Sequence, residues 1–284
     1  MIKILVPVNF TDYSINALTL ALTLAEKFPA GVTILHCFSS FVTLDELPAD
    51  EQNRPDVEGD ERLKRERLQQ LTSDILQSMT SLQNRNIEMT HRFEYGYPED
   101  VIPQISNNEQ FDVIIMGTKC KGETIKETLG SITSDVINRS TAPVLAVPSH
   151  STIDLTKLGK VLFLVELNER DYVSLHRLIR IISPFHTEIS AVHYSPGKAG
   201  RDDIRRMEQL ITYCDSTYPN YSINFDIITG KSYLKTLEEY IAENETHLVA
   251  MTRRKRTLLR QIFSPSITKK LLFNTDIPLL VFHS

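Results

Sequence analysis

Two glycines and a hydroxyl residue in the first half of the chain have the types and spacing of a phosphate-binding loop. Gly117 follows a short apolar run, and Gly130 stands 13 residues later, directly before Ser131 at the start of a helical pattern. Glycine lets a backbone approach a phosphate closely, and a helix N-terminus offers free N–H groups and the positive end of its dipole. A tight turn followed by an ordinary N-cap serine would use the same residues, so both interpretations stay open.

Sequence signals of other chemistries are absent. The chain contains no GxxxxGK[ST] loop, no GxGxxG after its first apolar run, no GxSxG elbow and no zinc-type spacing of His and Cys. His36 and His193 stand at equivalent places in the two halves, which favours a repeated structural role over metal binding. We therefore expect no catalytic residues, no metal site and no enzymatic activity.

Composition is that of an ordinary globular protein. The 284 residues are enough for two domains, with 41% hydrophobic and 24% charged residues. We expect no transmembrane helix, because no run of about 18 apolar residues occurs. The net charge of −5 argues against nucleic-acid binding by bulk electrostatics. The three cysteines are too scattered for a disulfide framework, which fits a reducing cytoplasm.

An internal repeat divides the chain. Residues 3–8 match residues 160–165 at an offset of 157, whereas Pro143 matches Pro278 at an offset of 135. The difference is a net insertion of 22 residues in the first half. Most of it is expected in the acidic stretch 44–61, which is either a mobile surface loop or a lid over the first site.

Strand and helix patterns alternate within each half. In the first half, apolar runs typical of buried parallel strands cover residues 2–8, 32–37, 111–117 and 143–147. The alternation predicts an α/β fold of two tandem Rossmann-like domains, residues 1–148 and 160–284, with a linker at 149–159. Each domain should contain a five-stranded parallel sheet in the order 3-2-1-4-5, with helices on both faces. Ligands bind at the carboxyl ends of such strands.

Three stretches of the sequence carry a family resemblance. They are Pro7-Val8-Asn9-Phe10-Thr11, the His36 that ends the second strand, and the segment from Met116-Gly117 through Gly130-Ser131 to Pro143-Val144. Together they resemble the universal stress protein family, and the resemblance covers both halves nearly end to end. ATP-binding members of that family carry G-x2-G-x9-G-[S/T] after the fourth strand and an aspartate after the first. The resemblance implies a non-enzymatic stress-response protein.

The first half departs from this pattern at two positions. Cys120 replaces the middle glycine, and Asn9 replaces the aspartate. A cysteine in left-handed backbone costs roughly 1–2 kcal/mol, and an asparagine supplies no carboxylate. Nucleotide binding is therefore open, and the alternative is an interaction or scaffold module that has lost it. A slow nucleotide hydrolase ranks last, because no nucleophile–base pair is visible.

An adenine nucleotide such as ATP, if it binds, is expected in the first domain alone. The candidate binding residues are Pro7, Val8, Asn9, Cys37, Met116, Gly117, Cys120, Gly130, Ser131, Ile132 and Thr133. In the second domain the three glycine positions are Thr252, Lys255 and Pro265, and Glu166 stands where the first has Asn9. The basic loop at 253–260 is either a solvated or ion-paired surface, or a docking patch for an anion or partner.

The last strand of each half predicts how the halves associate. The runs at 143–147 and 278–283 are too apolar to be left as exposed sheet edges. Members of the family that the chain resembles often dimerise through their last strands. We therefore expect the two domains to pack as an intramolecular pseudo-dimer. The sequence leaves open a homo-oligomer and the identity of protein partners.

Overall fold

The computed structural model describes most of the chain in seven segments. They are residues 1–27, 29–38, 57–78, 87–118, 131–149, 158–253 and 277–283. For residues 57–60 and 131 the description covers the backbone alone. Several sequence predictions lie outside the described residues: most of the acidic stretch, most of the linker, and the basic loop beyond Arg253. Cys120 and Gly130 of the candidate site lie outside them as well.

The first half alternates strands and helices from its first residues. Its elements are β1 (Ile2–Pro7), α1 (Asp12–Lys27), β2 (Ala30–Phe38), α2 (Val57–Ser78), β3 (Glu88–Tyr95), α3 (Pro98–Glu109), β4 (Val113–Thr118), α4 (Ser131–Arg139) and β5 (Val144–Pro148). The second half repeats the alternation. Its elements are β6 (Lys160–Val165), α5 (Glu169–Ile182), β7 (Glu188–Pro196), α6 (Arg201–Thr217), β8 (Ser222–Gly230), α7 (Tyr233–Glu243), β9 (Leu248–Arg253) and β10 (Leu279–His283).

All ten described strands form one sheet, in the order β3-β2-β1-β4-β5-β10-β9-β6-β7-β8. Within each half the strands pair in parallel and follow the order 3-2-1-4-5, which confirms the predicted α/β fold. Successive residues of a strand point to opposite faces. Ile4 therefore packs with Leu18 of α1 on one face, and Leu5 packs with Ile102 of α3 on the other.

The two halves meet along their last strands. Residues Val144–Ala146 of β5 pair antiparallel with Leu279–Val281 of β10, and these residues are almost fully buried. The remaining described pairs of the sheet are parallel. The antiparallel pair in the middle places the carboxyl ends of the strands at opposite edges of the common sheet in the two halves.

The internal repeat is visible in the backbone as well. Among the described residues, four other than glycine have positive φ: Phe10 at 62°, Leu167 at 56°, Gln110 at 53° and Glu245 at 49°. Phe10 and Leu167 are related by the offset of 157, and Gln110 and Glu245 by the offset of 135. Such a conformation costs roughly 1–2 kcal/mol for a residue with a side chain. The strained turns are therefore a property of the repeat.

Candidate functional site

A cavity opens at the carboxyl ends of β1, β2 and β4 in the first half. Its empty volume is about 630 Å³, including space open to solvent. Eight predicted site residues line it: Pro7, Val8, Asn9, Cys37, Met116, Gly117, Ile132 and Thr133. Ser131 is the first residue of α4, next to this wall.

Six residues that the sequence analysis did not single out complete the described lining. They are Tyr13, Ser14, Leu35, Pro98, Ile102 and Thr118. Pro98 and Ile102 belong to α3, which follows the third strand. Tyr13 and Ser14 belong to the first turn of α1, which begins five residues after β1 ends.

Asn9 organises the turn between β1 and α1. Its side-chain Oδ1 accepts hydrogen bonds from the Thr11 hydroxyl at 2.5 Å and from the Thr11 backbone N–H at 3.4 Å. Its own backbone N–H donates to Ser14 Oγ at 3.3 Å, and that hydroxyl donates to the Thr11 carbonyl at 2.9 Å. The side-chain oxygen of Asn9 is thus used locally, to shape the start of the helix.

Gly117 is required by packing. A Cβ at this position would lie 2.0 Å from the Tyr13 carbonyl oxygen and 2.8 Å from the Ser14 backbone nitrogen. The first turn of α1 therefore approaches β4 too closely for any side chain. In the second half the equivalent residue is Thr252, and its hydroxyl donates to Ser174 Oγ at 2.8 Å.

Thr118 presents a buried polar atom at the cavity. The residue is 1% exposed, and within the described part of the chain its Oγ1 has no hydrogen-bond partner. A buried hydroxyl left unpaired costs about 1–3 kcal/mol, so a polar group of a ligand would relieve a real penalty here. Nearby, Thr133 Oγ1 donates to the Gly117 carbonyl at 3.4 Å.

Cys37 lines the cavity as a neutral thiol. Burial, reinforced by the carboxylates of Glu94 and Glu99, raises its pKa to about 12. A thiol with this pKa is protonated at neutral pH, and only the thiolate is a good nucleophile. Cys37 therefore contributes shape and apolar surface to the cavity.

Two tyrosines occupy the equivalent region of the second half. Tyr194 stands at the position of Cys37, by the offset of 157, and Tyr233 at that of Pro98, by the offset of 135. Their ring centroids are 5.0 Å apart in an edge-to-face arrangement. Tyr194 is 7% exposed, and its hydroxyl donates to the Gly230 carbonyl at 2.7 Å. Where the first half has a small thiol and a proline, the second half has packed rings.

The second half also places carboxylates at this edge of its sheet. Asp171 replaces Ser14, and its Oδ2 accepts from the Glu166 backbone N–H at 3.0 Å. Burial, followed by the charge of Glu166, raises the pKa of Tyr233 above its ordinary value. Carboxylates at the turn after β6 would repel the phosphates of a nucleotide.

The two repeated histidines hold the same strand ends in both halves. His36 Nδ1 donates to the Val8 carbonyl at 2.8 Å, and His193 Nδ1 donates to the Val165 carbonyl at 2.9 Å. The ring of His36 also packs between Phe10 and Phe93, at centroid distances of 4.9 and 6.1 Å. This agrees with the structural role expected from their equivalent positions. Within the described residues, no three His, Cys, Asp or Glu side chains are grouped to hold a metal ion.

Comparisons with known proteins agree with this architecture. The crystal structure of a universal stress protein from Archaeoglobus fulgidus DSM 4304 matches with a TM-score of 0.72 and 17% identity, over 99% of this chain and 98% of that one. This similarity concerns the fold. None of the described helices is long and apolar enough to cross a membrane.

Sequence relatives lie in the same group of proteins. Universal stress protein MJ0531 of Methanocaldococcus jannaschii is 28% identical over 148 residues, which are 51% of this chain and 81% of that protein. Universal stress protein MJ0577 of the same organism is 42% identical over 52 residues, 18% of this chain and 32% of that protein. The model of the universal stress protein family matches residues 1–148, more than half of the chain. The chain therefore belongs to the universal stress protein family.

Proposed function

We propose that this protein is a non-enzymatic stress-response protein that binds one adenine nucleotide, such as ATP, in its first half and none in its second. The observation that carries the proposal is the contrast between the two halves. An open cavity lies at the strand ends of the first half, whereas in the second half Tyr194 and Tyr233 pack against each other at the positions equivalent to Cys37 and Pro98.

The described residues fit such a ligand. The cavity is concave and lined mostly by apolar side chains with a few polar groups, as small-molecule sites usually are. Ile102 and Met116 offer apolar surface to a purine, and Thr118 offers a hydroxyl that has no partner among the described residues. The first turn of α4 borders the cavity, and the N–H groups of a helix's first turn, which have no partner within the helix, are a common phosphate-binding element. Bound nucleotide would stabilise the folded first half by mass action.

Binding without turnover is supported by the chemistry of the wall. Among the described lining residues there is no carboxylate, imidazole or amine. General acid–base catalysis most often uses one of these groups, within hydrogen-bond reach of the proton that it moves. The thiol of Cys37 is protonated and does not substitute for one.

The runner-up is an interaction module that has lost its nucleotide. The geometry of Asn9 favours it, because the oxygen that would face a ligand is bound to Thr11 at 2.5 Å. On this reading the cavity is a remnant, and protein partners recognise another surface.

We further propose that residues 1–148 and 160–284 are two domains that pack as a pseudo-dimer through β5 and β10. The support is the antiparallel pairing of Leu145 with Leu280 and their burial. We place the protein in the cytoplasm, which suits the free thiols of Cys37 and Cys214.

Equilibrium dialysis against ATP, followed by chromatography of the nucleotides, tests binding and turnover together. We expect the full chain to retain ATP above the level of a protein-free chamber, and the retained nucleotide to remain ATP. Formation of ADP beyond the buffer blank would contradict the non-enzymatic assignment. No retention at millimolar ATP would leave the interaction module as the function.

A further inference from the structure

The C-terminal end of α4 is held by two side chains from the second half of the chain. Arg253, the last residue of β9, donates from Nη1 to the Ile137 carbonyl at 3.0 Å. His283, the last described residue of β10, donates from Nε2 to the same oxygen at 2.6 Å. Both side chains are partly buried, and Ile137 is 2% exposed.

This carbonyl needs outside donors because of how α4 ends. The last carbonyls of a helix have no partner within it. The backbone N–H of Thr141, four residues after Ile137, donates to Asn107 Oδ1 at 2.8 Å. Arg253 and His283 supply the missing donors, and a cation at this position also interacts favourably with the negative end of the helix dipole.

The first half does not have the residue types that make this contact. By the offset of 135, the first-half equivalents of Arg253 and His283 are Thr118 and Pro148. A threonine side chain is much shorter than that of arginine, and a proline side chain has no donor. The second half therefore supports the first through residues that the first does not have.

We propose that Arg253 and His283 are positioning residues, through which the second half fixes α4 and thereby the ligand cavity of the first half. The first turn of this nine-residue helix contributes Ile132 and Thr133 to the cavity wall. A shift of the helix moves that wall directly. We call the two contacts of Arg253 and His283 with the Ile137 carbonyl the clamp on α4. The effect on ligand affinity rests on the nucleotide site proposed above, whereas the clamp itself does not.

Hydrogen exchange and ATP affinity, measured on the full chain, test the proposal together. For the double variant Arg253→Ala, His283→Ala we expect hydrogen exchange of the α4 amides to become about tenfold faster. The Ile137 carbonyl then loses both donors, and local opening of the helix becomes easier. Titration with fluorescent ATP should show affinity about five- to tenfold weaker. The conservative pair Arg253→Lys, His283→Gln retains both donors and should recover most of each effect.

The variant Arg180→Ala is the matched control. It removes another pair between the halves, the 3.1 Å contact of Arg180 with Asp112, without touching α4. It should leave α4 exchange and ATP affinity unchanged. Unchanged α4 exchange in the double variant would overturn the clamp, and faster exchange with unchanged affinity would overturn its role at the site. If the wild-type chain binds no ATP, the proposed function fails, and α4 exchange still decides the clamp.

Discussion

Replacing Cys37 by tyrosine is expected to weaken ATP binding by the full chain at least about a hundredfold. The substitution copies into the first half the residue that the second half has at the equivalent position. Cys37 lies near the end of β2 in the cavity wall, so we expect a phenol ring at this position to enter the cavity. A ligand would have to displace a ring that is anchored by burial.

Titration of each variant with labelled ATP measures this effect. Cys37→Ser serves as control, because it keeps the size of the side chain and should change the affinity by no more than about threefold. Thermal unfolding of both variants establishes that they are folded. A Cys37→Tyr protein that is folded and binds ATP as tightly as the wild type would show that nucleotide does not use this cavity.

The reciprocal change, Tyr194→Cys, is expected to lower the free energy of unfolding by about 3 kcal/mol, as for other losses of a buried aromatic side chain. It removes a ring that is 7% exposed, its edge-to-face contact with Tyr233, and the hydrogen bond to the Gly230 carbonyl. It should not create a second ATP site, because Thr252 and Glu166 remain.

Urea denaturation compares the two contributions of Tyr194. Tyr194→Phe keeps the ring and loses only the hydroxyl contact, which should cost about 0.5–1.5 kcal/mol. If Tyr194→Cys lost less than Tyr194→Phe, the ring would not be the element that fills the second half. Uptake of a second ATP by Tyr194→Cys would show that this ring alone closes the second site.

The fold could be predicted because its signals are local and occur twice. Runs such as Ile4-Leu5-Val6 are apolar on both faces, as a buried parallel strand requires, and the offsets of 157 and 135 align the halves strand by strand. Pro7, Asn9, Cys37 and Met116 could be placed together for a similar reason. Each lies at or near the carboxyl end of a strand, and parallel strands bring their carboxyl ends to one edge.

The reasons for individual residues were harder to predict. Gly117 suggests a phosphate contact in sequence, whereas the structure shows that the Tyr13 carbonyl excludes any Cβ there. The alignment of the two halves already places Tyr194 at the position of Cys37. Only the packing of its ring in the structure shows why this difference matters for the second half.

The clamp on Ile137 has no sequence signal. Its donors are 116 and 146 residues away, and only the antiparallel pairing of β5 with β10 brings them to α4.

Native mass spectrometry of the full chain in the presence of ATP tests the central claim most directly, because it counts nucleotides per polypeptide. The open cavity in the first half and the packed tyrosine rings in the second predict one ATP for each 284-residue chain. The Cys37→Tyr variant, measured beside it, should carry none. Two nucleotides per wild-type chain, or none at millimolar ATP, would contradict the account.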